Sequence, residues 1–204
     1  MASKTEIAAR AMIRIGSQVV SDFDAENSEP ARVCRTLFPT VVRAELRRQA
    51  WSFALARANL AATLDTPPAD YGTVYNLPTD LLRLVRIRSG WVFSPLREAP
   101  DTDPIPGFEI NGRKLFINDS GSLPVQYVRD LSNDLAEWDA AFIDAVVYRL
   151  ALDAAPTLTK MGEDKRRGIK QDYKDALSEA RRTNAIELPP VAPPDGSWVV
   201  ARHV

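Results

Sequence analysis

Histidine and cysteine are almost missing from this chain, with one of each among 204 residues. The histidine, His203, stands next to the last residue. A general base must lie within roughly 3 Å of the proton it moves, and a frayed terminus does not provide such placement. That excludes Ser-His-Asp and Cys-His mechanisms. Zinc-type sites need several Cys or His ligands, and here the two candidates are far apart in sequence. The single cysteine excludes an internal disulfide and fits a reducing cytoplasmic site of synthesis. Cys34, between Val33 and Leu37 on a predicted helix, reads as a buried, inert thiol. Glycine is also sparse, with 9 residues. Gly112, Gly121 and Gly162 are isolated, and no G-x-x-x-x-G-K or G-x-G-x-x-G run is present to cradle a phosphate.

Long apolar runs and an excess of one charge are absent too. No run approaches the roughly 20 residues of a membrane span, and the opening MASKTEIAARAMIRIG lacks the apolar centre of a signal peptide. The chain is therefore expected to be soluble, with no membrane partner. Lys+Arg of 26 against Asp+Glu of 27 leaves a net charge of −1. This argues against a protein whose main task is to grip nucleic acid. A hydrophobic content of 45% with 26% charged residues excludes global disorder. Arginine outnumbers lysine, which fits either a GC-rich genome or a protein rich in polar interfaces.

What is present is a helix–β–helix plan. Ser3 to Ile15 has helical periodicity and Gly16 to stop it. An acidic loop, Ser21 to Glu29, leads to Ser28 as cap and Pro30 in the first turn of a second helix. Pro39 is expected to kink that helix rather than end it. Trp51 to Leu60 is read as a strand because Trp51 and Phe53 share a side, although its alanines favour helix. Tyr71 to Tyr75, Leu81 to Arg88, Gly90 to Phe93 and Leu123 to Arg129 read as extended. Phe108–Ile110 and Leu115–Ile117 flank Asn111-Gly112, a signal for a hairpin with a type I′ turn. From Asp134 the spacing of Leu135, Trp138, Phe142, Val146 and Leu150 predicts a helix. Its apolar face is broad enough for a central helix or for one that also meets a neighbouring subunit. A last helix covers Glu163 to Asn184. The fold class is α+β, mainly α: a helical bundle with an inserted small antiparallel β unit and an extended C-terminal arm. The expected layout is a single domain over 1–187, with helices at about 3–15, 30–48, 134–156 and 163–184 and the β-rich insertion at about 51–130. The arm covers 188–204.

A carboxylate pair deserves weighing, since a glycosidase needs two carboxylates about 5–10 Å apart. Glu109, Asp119, Asp134, Glu137 and Asp139 are the candidates. Asp134 and Glu137 read instead as cap and macrodipole residues of the helix starting there. The basic groups Lys165-Arg166-Arg167 and Arg181-Arg182 alternate with acids, the mark of a solvated face. Arg32, Arg35, Arg43, Arg47 and Arg48 share one side of the second helix, and the stretch with Arg43, Arg47 and Arg48 is the most one-sided patch, but no aromatics are interleaved to stack bases. That patch reads as a solvated face or subunit contact. Leu188 to Pro194 holds four prolines, and the segment after it carries Trp198, Val199, Val200 and Arg202. An aromatic-aliphatic cluster on an extended arm reads as a docking segment, for its own domain or for a partner.

Several segments in order carry a family likeness. They are the first helix ending in Ile15-Gly16, the acidic loop, Ala31-Arg32-Val33-Cys34-Arg35, Gln49-Ala50-Trp51-Ser52-Phe53-Ala54, Tyr75-Asn76-Leu77-Pro78-Thr79-Asp80-Leu81-Leu82-Arg83, and the closing Ser197-Trp198. Together they resemble the tail tubular protein A family, the head-to-tail adaptors of tailed phages. The resemblance covers nearly the whole chain, and Trp91 to Gly107 matches least.

The resemblance implies a structural protein of the virion neck, made in the host cytoplasm, that acts without catalysis or cofactor. It implies a homo-oligomeric ring, a dodecamer in typical members, below the portal protein. The ring joins portal to tail and lets DNA pass without specific binding. By that likeness the arm (Trp198, Val199, Val200, Arg202) and the helical arginines Arg43 and Arg47 would meet the portal or a neighbouring subunit. The hairpin residues Asn111, Gly112 and Arg113 would face the next tail or nozzle protein. The rival readings are a peptidoglycan-degrading enzyme using a carboxylate pair and a DNA-binding regulator using the arginine-rich helix.

Overall fold

The first helix, α1 (Lys4–Ile15), starts where Ser3 accepts the N–H of Glu6 through its hydroxyl. It ends where Gly16 turns to a φ of 71°, a left-handed position that favours glycine, and returns its N–H to Ile13 and Met12. A computed structural model describes residues 2–88, 90, 91 and 107–187, with the backbone alone at 90 and 91. The C-terminal arm, with Trp198, Val199, Val200 and Arg202, lies outside these residues. So does the extended reading at Val92 and Phe93.

The second helix, α2 (Glu29–Arg48), has Ser28 as N-cap and Pro30 in its first turn. It runs unbroken through Pro39. An interior proline costs about 3 kcal/mol or more in a helix, and burial of Phe38, Val41, Val42 and Leu46 around it offsets that loss. The loop before α2 is built around two side chains. Glu26 accepts the N–H groups of Ser21 (2.7 Å) and Asp22 (3.3 Å) and the hydroxyls of Ser21 and Ser28. Those bonds, led by the one from Ser28, hold its pKa down at about 2. Arg35 donates to the carbonyls of Phe23, Asp24 and Glu26, closing the loop onto the helix.

Trp51 to Ala54 is not a strand. Ser52–Ala54 forms a 3₁₀ turn with Trp51 as its N-cap residue, and the strand begins only at Leu55. Tertiary bonds decide this. The Trp51 indole donates to the Glu45 carbonyl at 2.9 Å. Asn184, itself buried, accepts from the Ser52 N–H at 2.6 Å and donates to the Ala50 carbonyl at 3.2 Å.

The third helix, α3 (Ala140–Leu158), begins six residues later than the periodicity predicts. Asp139 is its cap, accepting the N–H groups of Ala141 (2.8 Å) and Phe142 (3.3 Å). Leu135–Glu137 is a separate 3₁₀ turn, and Asp134 makes no side-chain cap bond to it. Trp138 still joins the core because its indole bonds the Leu131 carbonyl at 3.0 Å. The last helix is α4 (Glu163–Glu187). Helix α3 packs against α1, α2 and α4, which accounts for its broad apolar face.

The described chain divides into two compact units, a helical one (Met1–Leu55 with Val128–Glu187) and a β unit (Ala56–Tyr127). The helical core holds a continuous aromatic series. Phe23 meets Phe38 edge-on at 5.3 Å, Phe38 stacks on Trp138, and Trp138 meets Phe142 at 5.3 Å. Phe142 then touches both Trp51 and Phe53 at 5.1 Å.

The β strands are β1 (Leu55–Leu60), β2 (Thr73–Asn76), β3 (Leu81–Ile87), β4 (Gly90–Trp91), β5 (Phe108–Asn111), β6 (Lys114–Ile117) and β7 (Leu123–Arg129). They form a sheet in the order β1-β7-β3-β4 and a second in the order β2-β6-β5. Leu60, Tyr75, Leu84, Ile87, Leu115, Ile117, Leu123 and Val125 fill one core. The β5–β6 turn departs from the type I′ expectation. Asn111 pairs with Lys114, so the two central residues are Gly112 and Arg113. Of these only Gly112 has a positive φ (60°), the pattern of a type II′ turn. The β3–β4 turn places Arg88 at a φ of 53°, which costs a non-glycine residue about 1–2 kcal/mol. A two-pronged pair with Asp119 (2.5 and 2.7 Å) opposes that cost. Among the described residues, no helix is long and apolar enough to cross a membrane.

Phe142 is fully buried at the branch of the aromatic series. Its replacement by alanine should destabilise the protein by about 3–5 kcal/mol, measured as a shift in the urea midpoint at unchanged m-value.

Candidate interaction surfaces

Glu45, in the last turns of α2, is completely buried. A carboxylate removed from water must be met by strong donors, and two converge here. Arg48 approaches at 3.0 and 3.3 Å, and the Tyr173 hydroxyl of α4 donates at 2.7 Å. Burial, with this bond to Glu45, pushes the Tyr173 phenol up to about 12. Arg149 of α3 lies over the Tyr173 ring and pairs with Asp153 at 3.0 Å. The cluster holds α2, α3 and α4 together. Sequence reasoning missed it: Glu45 was one charge among many, and its partner stands 128 residues away.

The arginines of α2 separate by role. Arg35 closes the acidic loop, and Arg48 serves Glu45. Arg43, proposed for partner contact, pairs with Asp130 at 2.7 Å while remaining about half exposed. Asp130 is buried enough to raise its pKa, but the Ser132 hydroxyl and N–H, with Arg43, outweigh burial and bring it below the usual range. Arg47 and Arg32 are exposed. Cys34 is buried, and burial raises its thiol to about 11, against the opposing charge of Arg35.

At the hairpin, Asn111 and Gly112 are exposed at the tip. Arg113 is also exposed, and its guanidinium donates to the carbonyls of Pro78 (2.9 Å) and Thr79 (2.8 Å), while its own carbonyl accepts from Leu77 (2.8 Å). Asp80 accepts from the Tyr127 hydroxyl at 3.2 Å. The Leu77-Pro78-Thr79-Asp80 motif is thus a crossing between the two sheets, locked from both ends.

The carboxylate candidates are similarly engaged. Asp119 takes both prongs of Arg88 and the Ser120 N–H, and the Arg88 bond foremost brings its pKa below the usual range. A glycosidase acid needs the opposite shift. Glu137 pairs with Arg129, Asp139 caps α3, and Glu109 and Asp134 are exposed. A groove of about 300 Å³ between α3 and α4 is lined by Asp144, Asp172, Asp175 and Glu179. Its acids are largely matched: Asp144 by Arg10, Glu179 by Arg182 and Asp175 by Gln171. Among the described residues, no group of three or more His, Cys, Asp or Glu could hold a metal. No protein-family model matches the chain, and no curated protein sequence matches it.

Replacing Tyr173 by phenylalanine leaves Glu45 buried with Arg48 as its remaining side-chain donor. It should cost about 1–3 kcal/mol in urea unfolding. Because Asp130 is depressed in the folded state, its contribution is present above its unfolded value of about 3.9 and is lost as pH falls through its folded value. Asp130→Asn should therefore flatten the fall of thermal stability below about pH 4.

Proposed function

We propose that this chain is a ring subunit of the neck of a tailed phage. It would be a structural head-to-tail adaptor that joins the portal to the next tail protein and leaves a channel for DNA. The carrying observation is how its ionisable side chains are used. Glu45, Asp119, Asp130, Arg35 and Arg113 each tie one stretch of chain to another, on a helical unit interrupted by a β unit. The ordered segments resembling tail tubular protein A support the same reading, as does a net charge near zero. A conduit should hold DNA weakly, since each phosphate neutralised adds affinity and would retard passage.

In this reading Asn111 and Gly112 offer the β-unit contact to the tail, and Arg47 the helical contact to the portal or a neighbour, with Arg43 a secondary contributor. The arm from Leu188 onward is the portal or ring clasp. The regulator reading is weakened because Arg35, Arg43 and Arg48 already serve internal partners. Removing Leu188 to Val204 should leave a folded protein with an unchanged circular dichroism spectrum but abolish its co-sedimentation with portal rings. Undiminished co-sedimentation would count against the assignment of the arm. Failure of the full chain to bind portal at all would count against the adaptor reading.

A further inference from the structure

Helix α4 buries one stripe, made of Ile169, Tyr173, Leu177, Ala180 and Asn184. With 3.6 residues per turn, the charges that alternate along its sequence separate in space. Asp172, Asp175 and Glu179 fall on the flank that faces α3, where they line the groove opposite Asp144 and Tyr148. Lys170, Lys174 and Arg181 fall on the other flank of the stripe, and all three are exposed. The first turn departs from this division, with Glu163 on the basic side and Lys165 on the acidic one. Such a division does not favour a helix standing alone. Opposite charges three or four residues apart support a helix, and like charges at those spacings weaken it. Lys170 is four residues from Lys174, Asp172 three from Asp175, and Asp175 four from Glu179. None of Lys170, Lys174, Arg181, Asp172 and Asp175 has an opposite charge at either spacing. Other elements do not supply one. Among the described residues, Asp172, Lys170, Lys174 and Arg181 make no ion pair, and Asp175 accepts only a neutral amide, from Gln171 at 2.9 Å.

We propose that α4 is a head-to-tail contact between copies of this chain, in which the basic flank of one copy docks on the acidic flank of the next. The spacing of the charges fits. Lys174 and Arg181 stand seven residues apart, as do Asp172 and Glu179, so two pairs form at once between helices running in the same direction. A rotation about an axis along the helices produces that arrangement and brings a different flank of each copy into every contact. Repeated, such a contact gives an open series or, where the rotation closes, a ring. The groove of about 300 Å³, with Ala141 and Ala176 in its lining, has room for lysine stems whose ammonium groups meet its acids. Ile186, 79% exposed, lies two turns beyond Glu179 and adds apolar surface to the same flank. A second copy is favoured over another basic protein because one helix carries both halves of the match at one spacing. The proposal deepens the ring reading and rests on it for closure of the series; the contact itself follows from the charges.

The test is sedimentation velocity on the full chain over a range of concentrations, at low salt and in about 0.5 M sodium chloride. At low salt the wild type should sediment faster as its concentration rises, and salt should remove the effect, since exposed charge pairs are screened. Asp172→Lys with Asp175→Lys makes both flanks basic, and Lys170→Glu with Lys174→Glu makes both acidic. Each double variant, accepted only with a wild-type circular dichroism spectrum, should self-associate more weakly by roughly tenfold or more. An equimolar mixture of the two should associate again, because the basic flank of one then meets the acidic flank of the other. Association unchanged by either double variant, or a mixture that recovers nothing, overturns the proposal. So does a wild type that saturates as a dimer, the mark of a two-fold contact, or one that stays monomeric at low salt, which leaves the flanks to a different partner. Portal binding is measured separately. Self-association that depends on both flanks in a chain that fails to bind portal rings keeps this contact and removes the neck reading.

Discussion

A carboxylate held out of water governs how the helical unit is put together. The buried Glu45 carboxyl depends on donors that come from two helices, Arg48 of α2 and Tyr173 of α4. Removing one partner of a buried charge costs far more than the pair contributes when whole. The Glu45 side chain thus fixes the distance from α2 to α4, while its carbonyl fixes the Trp51 indole. Trp51 in turn sets the aromatic series against Phe142. Chain direction after α2 is settled at this point, and the β unit begins immediately beyond it at Ala56.

The β unit is held by a parallel device with the polarity reversed. There a cation, Arg113, serves backbone carbonyls at the sheet-to-sheet crossing. In both units a polar group that looks free in sequence serves another segment of the chain. Among the described residues, those left exposed include the hairpin tip, Arg32 and Arg47 of α2, and the charged side of α4.

What was legible in the sequence is what local chemistry decides. Ser3 and Gly16 bound α1, and Ser28 with Pro30 opens α2, because capping involves neighbours a few residues apart. The α+β class, mainly α, followed from periodicity. The errors fall where distant partners decide. Trp51-Ser52-Phe53 has the alternation of a strand, but Asn184 and Glu45 hold it as a turn. Asp134 was read as the cap, but Leu135–Glu137 is a separate 3₁₀ turn and Asp139 opens α3. The Asn111-Gly112 turn was correctly located but one residue out of register, so that its type changed from I′ to II′. The internal bonds of Arg43 and Arg113 were not legible either, because Asp130, Pro78 and Thr79 are remote in sequence.

The interrupted layout of the helical unit also has a kinetic side. The bond from Tyr173 to Glu45 closes a loop of 128 residues, and contacts of such separation slow folding because chain entropy must be lost before they form. Pairing of the small sheets before the helices close would shorten that loop, so a substitution that slowed the sheets would be expected to delay closure of helices that contain no altered residue.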